Sequence, residues 1–147
     1  MKIFNTEFEV SMRLLLLLAN SKESLDEEKI LYLDFITINA KNYNLASENL
    51  NGDGLYMLNE LTTQHSLIKE SLKALVLEDF ISVISTESGF FYNINANGIK
   101  HCDSMTSDYS RQYKTNAIAV YSKIGSWSIN KIKEFAKRME ELHNGIY

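Results

Sequence analysis

Residues 66–94 read SLIKESLKALVLEDFISVISTESGFFYNI. Two periodicities follow one another in this stretch. Ser66 is an N-cap residue, Glu70 falls in the first turn, and Ile68, Leu72 and Leu75 recur at helical spacing, which predicts a helix with one buried face. From Phe80 to Ser85 the chain alternates and is β-branched, Thr86 to Gly89 has turn chemistry, and Phe90 to Ile94 alternates again with aromatic residues. Strand, turn and strand in succession predict a hairpin.

Upstream, Thr6 and Glu9 form an S/T-x-x-E capping box that starts a helix running to about Ala19. Glu9 and Arg13 sit one turn apart and can pair. From Leu14 onward this helix is apolar all round, the mark of a central buried element. A second box, Ser24 with Glu27, opens another helix with acids Asp26 to Glu28 at its positive end. Ile30, Leu33, Ile36 and Ala40 make one stripe and Leu31, Phe35 and Ile38 a second, so Asp34 lies in an apolar stretch and needs a partner or water. Lys41 to Gly54 is an Asn-rich surface loop. A short helix is expected at Leu55 to Leu61, then a turn at Thr62 to His65. Downstream, helices are expected at about Ala96 to Met105, Asp108 to Ile124 and Ile129 to His143. The middle one buries Tyr109, Tyr113, Val120 and Ile124 and stops at Gly125 in a left-handed cap. The last buries Ile129, Ile132, Phe135, Ala136, Met139 and Leu142.

The fold class is therefore mainly α with a small β-hairpin. The order helix, short helix, turn, helix, hairpin across residues 25–95 is that of a winged helix-turn-helix. Residues 1–95 hold the N-terminal helix and this core, and residues 96–147 a helical extension on the same core, giving one domain. With 147 residues, 45% of them hydrophobic, a chain of this size buries about 68–70% of its unfolded surface.

Several classes are excluded. Cys102 is the one cysteine, so no internal disulfide forms and a reducing, cytoplasmic setting is expected. The apolar run Leu14 to Ala19 is far short of the roughly 20 residues a membrane span needs. Glu7 and Glu9 stand where a signal peptide would be positive. No phosphate-binding or dinucleotide-binding glycine motif is present. His65, His101 and His143 have no metal-ligand spacing, and His101 and Cys102 are adjacent, so their side chains diverge on a helix and cannot form a nucleophile pair. Asn49 to Glu60 follows the spacing of a calcium loop, with Asn51, Asp53 and Gly54 in register. Its first ligand is an amide and its ninth position is Met57, so it reads as an Asn/Gly turn. No cofactor and no catalysis are expected.

The net charge of −4 is uneven. Residues 1–99 carry 7 basic and 14 acidic side chains, and residues 100–147 carry 8 and 5. Any contact with DNA is expected in the C-terminal third, at Lys131, Lys133, Lys137 and Arg138. The would-be recognition helix offers Gln64, His65, Lys69 and Lys73 but also Glu70, Glu78 and Asp79, and no arginine. It reads as a protein-docking platform rather than a sequence reader.

The stretches FNTEFEVSMRLLLLLA (residues 4–19) and LDEEKILYLDFI (residues 25–36) resemble middle components of ABC-three component systems, the small subunits of Lamassu-like bacterial defence operons. Phe4, Asn5, Glu9, Arg13 and Leu14 to Leu18 match the family's opening, Tyr32, Leu33, Asp34 and Phe35 its second-helix motif, and Leu72 to Val83 a later helix running into a strand. Asn39-Ala40 replaces the family's His-Ser, and Leu58 to Gln64 lacks the arginines frequent there. The resemblance implies an accessory subunit, without membrane contact, that bridges an SMC-like ABC ATPase and an effector, often a nuclease, and meets DNA weakly or through the complex. It implies that Glu9 and Arg13 fix the first helix and that Asp34 bonds Arg13 or a backbone end in the core. Glu9, Arg13, Tyr32 and Asp34 are thus structural or partner-contact candidates. The alternative is a winged-helix transcription regulator acting as a homodimer on a palindromic site.

Overall fold

The structure is a computed structural model that describes residues 6–50 and 58–143. Phe4 and Asn5, Asp53, Gly54 and Met57 of the calcium-type spacing, and the start of the expected helix at 55–61 lie outside the described residues. Six helices and a three-stranded sheet are described: α1 (Glu7–Ala19), β1 (Leu25–Asp26), α2 (Glu27–Ile38), α3 (Leu61–Leu77), β2 (Ile81–Thr86), β3 (Gly89–Ile94), α4 (Ala96–Cys102), α5 (Asp108–Ile124) and α6 (Ile129–His143). Short 3₁₀ turns occupy Ala40–Tyr43 and Leu58–Glu60.

The five leucines Leu14 to Leu18 are all buried, because α1 runs through the centre and packs on α2, α3, α4, α5 and β3. Thr6 Oγ1 accepts the Glu9 N–H at 3.2 Å, as the capping box predicts. Both stripes of α2 are buried. The start of α2 differs from the expectation. Leu25 and Asp26 are not helical but pair with Tyr92 and Phe91 as β1, and Asp26 replaces Ser24 as the cap, its Oδ1 accepting the Lys29 N–H at 2.9 Å. Strand pairing fixes two residues that the local signal assigns to the helix, and the second of them, Asp26, is an equally good cap.

A second difference concerns α3. Thr62 to His65 form no turn and Ser66 no cap, since α3 is continuous from Leu61. Nothing in Thr-Thr-Gln-His breaks a helix, and Leu61 falls on the same face as Ile68, Leu72 and Leu75, all buried. Burial of Leu61 outweighs the modest propensities of the polar run. From Leu61 to Leu77 the expected turn and second helix are thus one helix, preceded by the 3₁₀ turn Leu58–Glu60, and the helix–helix–hairpin unit takes α1 and α2 as its earlier members. The hairpin is as expected, in register from Ile81 opposite Ile94 to Thr86 opposite Gly89. Gly89 takes φ +117°, which suits only glycine. The sheet order is β1–β3–β2, antiparallel throughout.

Helices α5 and α6 pack on α1 and α2. Asn116 on α5 is fully buried, and its amide donates to Thr37 O at 3.2 Å and Glu48 O at 3.1 Å. It ties α5 to the end of α2 and to the following loop. Three details depart from expectation. Helix α4 ends at Cys102 rather than Met105. Gly125 is right-handed (φ −60°, ψ −31°). It is needed for space, because a Cβ there would lie 2.5 Å from the Tyr121 ring. Leu142 is 50% exposed, beyond the reach of the core at the end of α6.

Ser71 on α3 is fully buried and its Oγ has no hydrogen-bond partner among the described residues. A desolvated hydroxyl without a partner costs stability, and alanine is the better helix former. Ser71→Ala is expected to raise the unfolding free energy by about 1 kcal/mol, read from the urea midpoint. A loss of stability would show that the hydroxyl finds a partner in solution.

Candidate functional site

Three helices converge on one buried polar cluster. Arg13 is completely buried and Asp34 is 3% exposed. The guanidinium grips the carboxylate bidentately, Nε to Oδ1 and Nη2 to Oδ2, both at 3.0 Å. Tyr113 of α5 donates its hydroxyl to Asp34 Oδ1 at 2.8 Å, and Arg13 Nη1 donates to the Tyr109 hydroxyl at 3.4 Å. Arg13 thus turns inward to α2 in place of the surface pairing with Glu9 that their spacing allows. In low dielectric the bidentate carboxylate is the stronger partner. Burial alone would lower the Arg13 pKa, but the charge and hydrogen bonds of Asp34 outweigh it and the net shift is upward. Burial, reinforced by the Asp34 charge, pushes the Tyr113 hydroxyl well above its ordinary value. Burial also raises Tyr109, with Arg13 acting against it. The cluster is therefore a fixed ion pair flanked by two neutral phenols, suited to clamping α1, α2 and α5 together.

The same shifts set an alkaline limit. Tyr113 keeps its proton in the folded chain at pH values where an unfolded tyrosine loses it. The native state then binds more protons, so this contribution to stability is complete below the unfolded pKa and is lost as pH rises through it toward the folded value. Burial, then Asp103, push the Cys102 thiol up to about 11, which acts in the same direction. Urea midpoints measured between about pH 8 and 11 should fall with pH, and Tyr113→Phe should flatten the decline. Equal slopes in the two proteins would contradict this.

Two open grooves flank α3. The first, about 970 Å³, lies between α3, the start of α2 and the hairpin. Its floor holds apolar side chains that water reaches freely: Leu77 is 80% exposed, Phe90 59% and Val83 43%. The acids on one wall are engaged within the chain: Glu27 meets His65 Nε2 at 2.7 Å, and Glu28 pairs with Lys133. On the other wall Lys69 and Lys73 have no ion-pair partner among the described residues. Tyr32 lines this groove half-buried, with Lys133 Nζ 5.8 Å from its ring centre. The second groove, about 780 Å³, lies on the opposite flank of α3, against α1 and α4. It carries Glu7, Glu9 and Glu78 beside Met12 and Met105, and no Lys or Arg lines it. His101 stacks on Phe80 there, ring centres 4.6 Å apart.

The four basic candidates of α6 do not form one surface. At about 100° per residue, Lys131 and Arg138 share one flank of the helix and Lys133 and Lys137 the other. Lys133 is held by Glu28, and Lys131 lies 4.2 Å from the Trp127 ring centre. The sequence shows a basic helix, but its charge is split and partly spent on neighbours. What sequence reasoning missed is Tyr113 as the third member of the buried cluster and His65 as the partner of Glu27. Both contacts join distant segments, and no local pattern announces them. Among the described residues, no group of three His, Cys, Asp or Glu could hold a metal ion, and no helix is long and apolar enough to cross a membrane.

The sequence pattern of the ABC-three component (ABC-3C) system middle component 2 family matches residues 3–143. The chain belongs to that family. No curated protein and no solved structure matches it. A middle component is by its name one member of a multi-component system. The family membership gives the buried cluster a context, since Arg13 and Asp34, two of the positions that carry the resemblance in sequence, are the ion pair that clamps this middle component's central helices.

Proposed function

We propose that this protein is a non-catalytic adaptor of a bacterial defence complex, a cytoplasmic subunit that joins an SMC-like ABC ATPase to an effector. The observation that carries the reading is the pair of grooves on opposite flanks of α3. Their charge differs: the first presents the exposed Lys69 and Lys73, and the second is lined by Glu7, Glu9 and Glu78 with no Lys or Arg. Two partners of different charge can be held at once, as a bridging subunit requires.

The element order α1–β1–α2–α3–β2–β3 with sheet order β1–β3–β2 supports a winged-helix reading, with α3 in the place of the recognition helix and the hairpin as the wing. In a regulator the face between them would meet bases. Here that face offers Leu77, Val83 and Phe90 between lysines and glutamates, which favours a protein partner over a phosphate backbone. The homodimeric regulator is the weaker reading on this ground.

The test is co-expression of the full chain with its co-encoded ATPase and effector, followed by native mass spectrometry. One assembly containing all three, with ATPase and effector separating when this subunit is omitted, is the expected result. Association of the other two without it would overturn the bridging role. Recovery as a homodimer that binds a palindromic duplex would favour the regulator.

A further inference from the structure

The first groove specifies the chemistry of what it binds. Its apolar floor is a continuous stripe, because Val83 lies directly opposite Tyr92 in the hairpin, Phe90 is two residues before Tyr92 on the same face, and Leu77 of α3 projects beside them. Large exposed apolar side chains gathered in one concavity gain most from being covered by other apolar side chains. The polar groups around the stripe differ in how far they are engaged. Glu28 pairs with Lys133, Glu27 meets His65 Nε2, and Asp26 caps α2, so each acid has a contact within the chain. Lys69 and Lys73 are exposed, and they stand one helical turn apart, roughly 5.4 Å along the axis. The unmet demand of the groove is therefore two carboxylates at one turn's spacing together with apolar bulk.

We propose that this groove takes an acidic amphipathic segment of a partner subunit, whose apolar side chains cover Leu77, Val83 and Phe90 and whose carboxylates pair with Lys69 and Lys73. The proposal rests on the adaptor reading and names the partner chemistry of one of its two sites. Nucleic acid fits less well. A phosphate backbone has nothing to lay on the apolar floor formed by Leu77, Val83 and Phe90. The pairing with Lys69 and Lys73 adds rate and specificity, and the apolar stripe adds most of the affinity.

The experiment uses the full chain co-expressed with its co-encoded ATPase and effector. Phe90 is replaced by the photo-cross-linking residue benzoylphenylalanine, and the cross-linked peptide is sequenced by mass spectrometry. The expected product is a peptide of one of those two subunits that carries at least two acidic residues among large apolar ones. In parallel, Lys69→Glu with Lys73→Glu should weaken capture of that same subunit by about tenfold or more at moderate salt, and Leu77→Asp should do so at any salt. Lys114→Glu with Lys123→Glu, exposed on opposite flanks of α5, should leave capture unchanged. All these positions are exposed, so unchanged circular dichroism and melting confirm the fold of each variant. A cross-link to a basic peptide, to DNA or to a second copy of this chain overturns the proposal, and so does an intact assembly that ignores both groove variants. If the wild-type chain forms no assembly at all, the adaptor reading falls and the proposal falls with it. If assembly forms but ignores the groove, only the proposal falls.

Discussion

Asp34→Ala lowers the unfolding free energy by about 3–5 kcal/mol, because it leaves the Arg13 guanidinium buried and unmatched. Arg13 has no route to water, since it is fully buried among leucines of α1 and the tyrosines of α5. The Tyr113 hydroxyl loses its acceptor in the same step. For a chain of this size each kcal/mol shifts the melting temperature by roughly 2–4 °C, so a drop on the order of 10 °C is expected. The contrast that identifies the cause is a triple variant, Arg13→Met with Asp34→Leu and Tyr113→Phe. It removes the ion pair and the Tyr113 hydroxyl together and leaves only the part-buried Tyr109 phenol, and replacement of a whole buried ion pair by apolar groups is commonly neutral or stabilising. Recovery of most of the lost stability in the triple variant would assign the effect to the stranded charge. A loss under about 1 kcal/mol for Asp34→Ala would mean that water reaches Arg13, contrary to its burial. The consequence extends to function. Helix α1 walls the second groove and α2 the first, so loosening their clamp blurs both grooves at once.

Helices α1, α5 and α6 were legible in the sequence because each carries its own start signal and a long apolar period, and both properties are local. The buried Asp34 was legible for a related reason, since an acid inside an apolar stretch must have a partner. Its link to Arg13 was suggested by the family resemblance, whereas Tyr113 lies 79 residues away and nothing local joins them. β1 was not legible. Two residues, Leu25 and Asp26, carry no period, and the Ser24–Glu27 box mimics the true cap one position pair later. Their state is decided by pairing with β3. The continuity of α3 was missed because Thr62 to His65 look like turn chemistry, and the deciding contact is the burial of Leu61 against the rest of the core. The mixed charge of α3 and its missing arginine were readable directly from the sequence. Which of the surrounding acids are engaged was not, because Glu27 and Glu28 meet side chains on α3 and α6, far from them in sequence. The basic helix α6 shows the same limit, since composition gives the number of charges and only the helical phase and neighbours give their direction.

The second large effect is expected at Gly98, where a single methyl group changes the sign of an ordinarily favourable substitution. Gly98 is buried in α4, and glycine within a helix costs about 1 kcal/mol relative to alanine. On propensity alone Gly98→Ala should stabilise. A Cβ at this position, however, would lie 2.2 Å from the Phe80 carbonyl oxygen and 2.6 Å from Ile94 Cγ1. The side chain of Ile94 can yield. The Phe80 carbonyl cannot move without cost, since it accepts the Asn95 N–H at 3.1 Å and so closes the base of the hairpin. Overpacking of this kind costs about 1–3 kcal/mol, which outweighs the propensity gain. Gly98→Ala is therefore expected to destabilise by about 1–2 kcal/mol and Gly98→Val by more than 3, because its branches add to the clash. Hydrogen exchange should show the loss concentrated at Ile81 and Ile94, the pair that closes the hairpin at its base, with α5 and α6 little affected. Stabilisation by Gly98→Ala, or exchange that accelerates uniformly across the chain, would show that α4 can shift away from the sheet without disturbing it. The hairpin also supplies Val83 and Phe90 to the first groove. A displaced base would move those side chains relative to Lys69 and Lys73, so Gly98→Val should weaken partner capture even at temperatures where the chain remains folded.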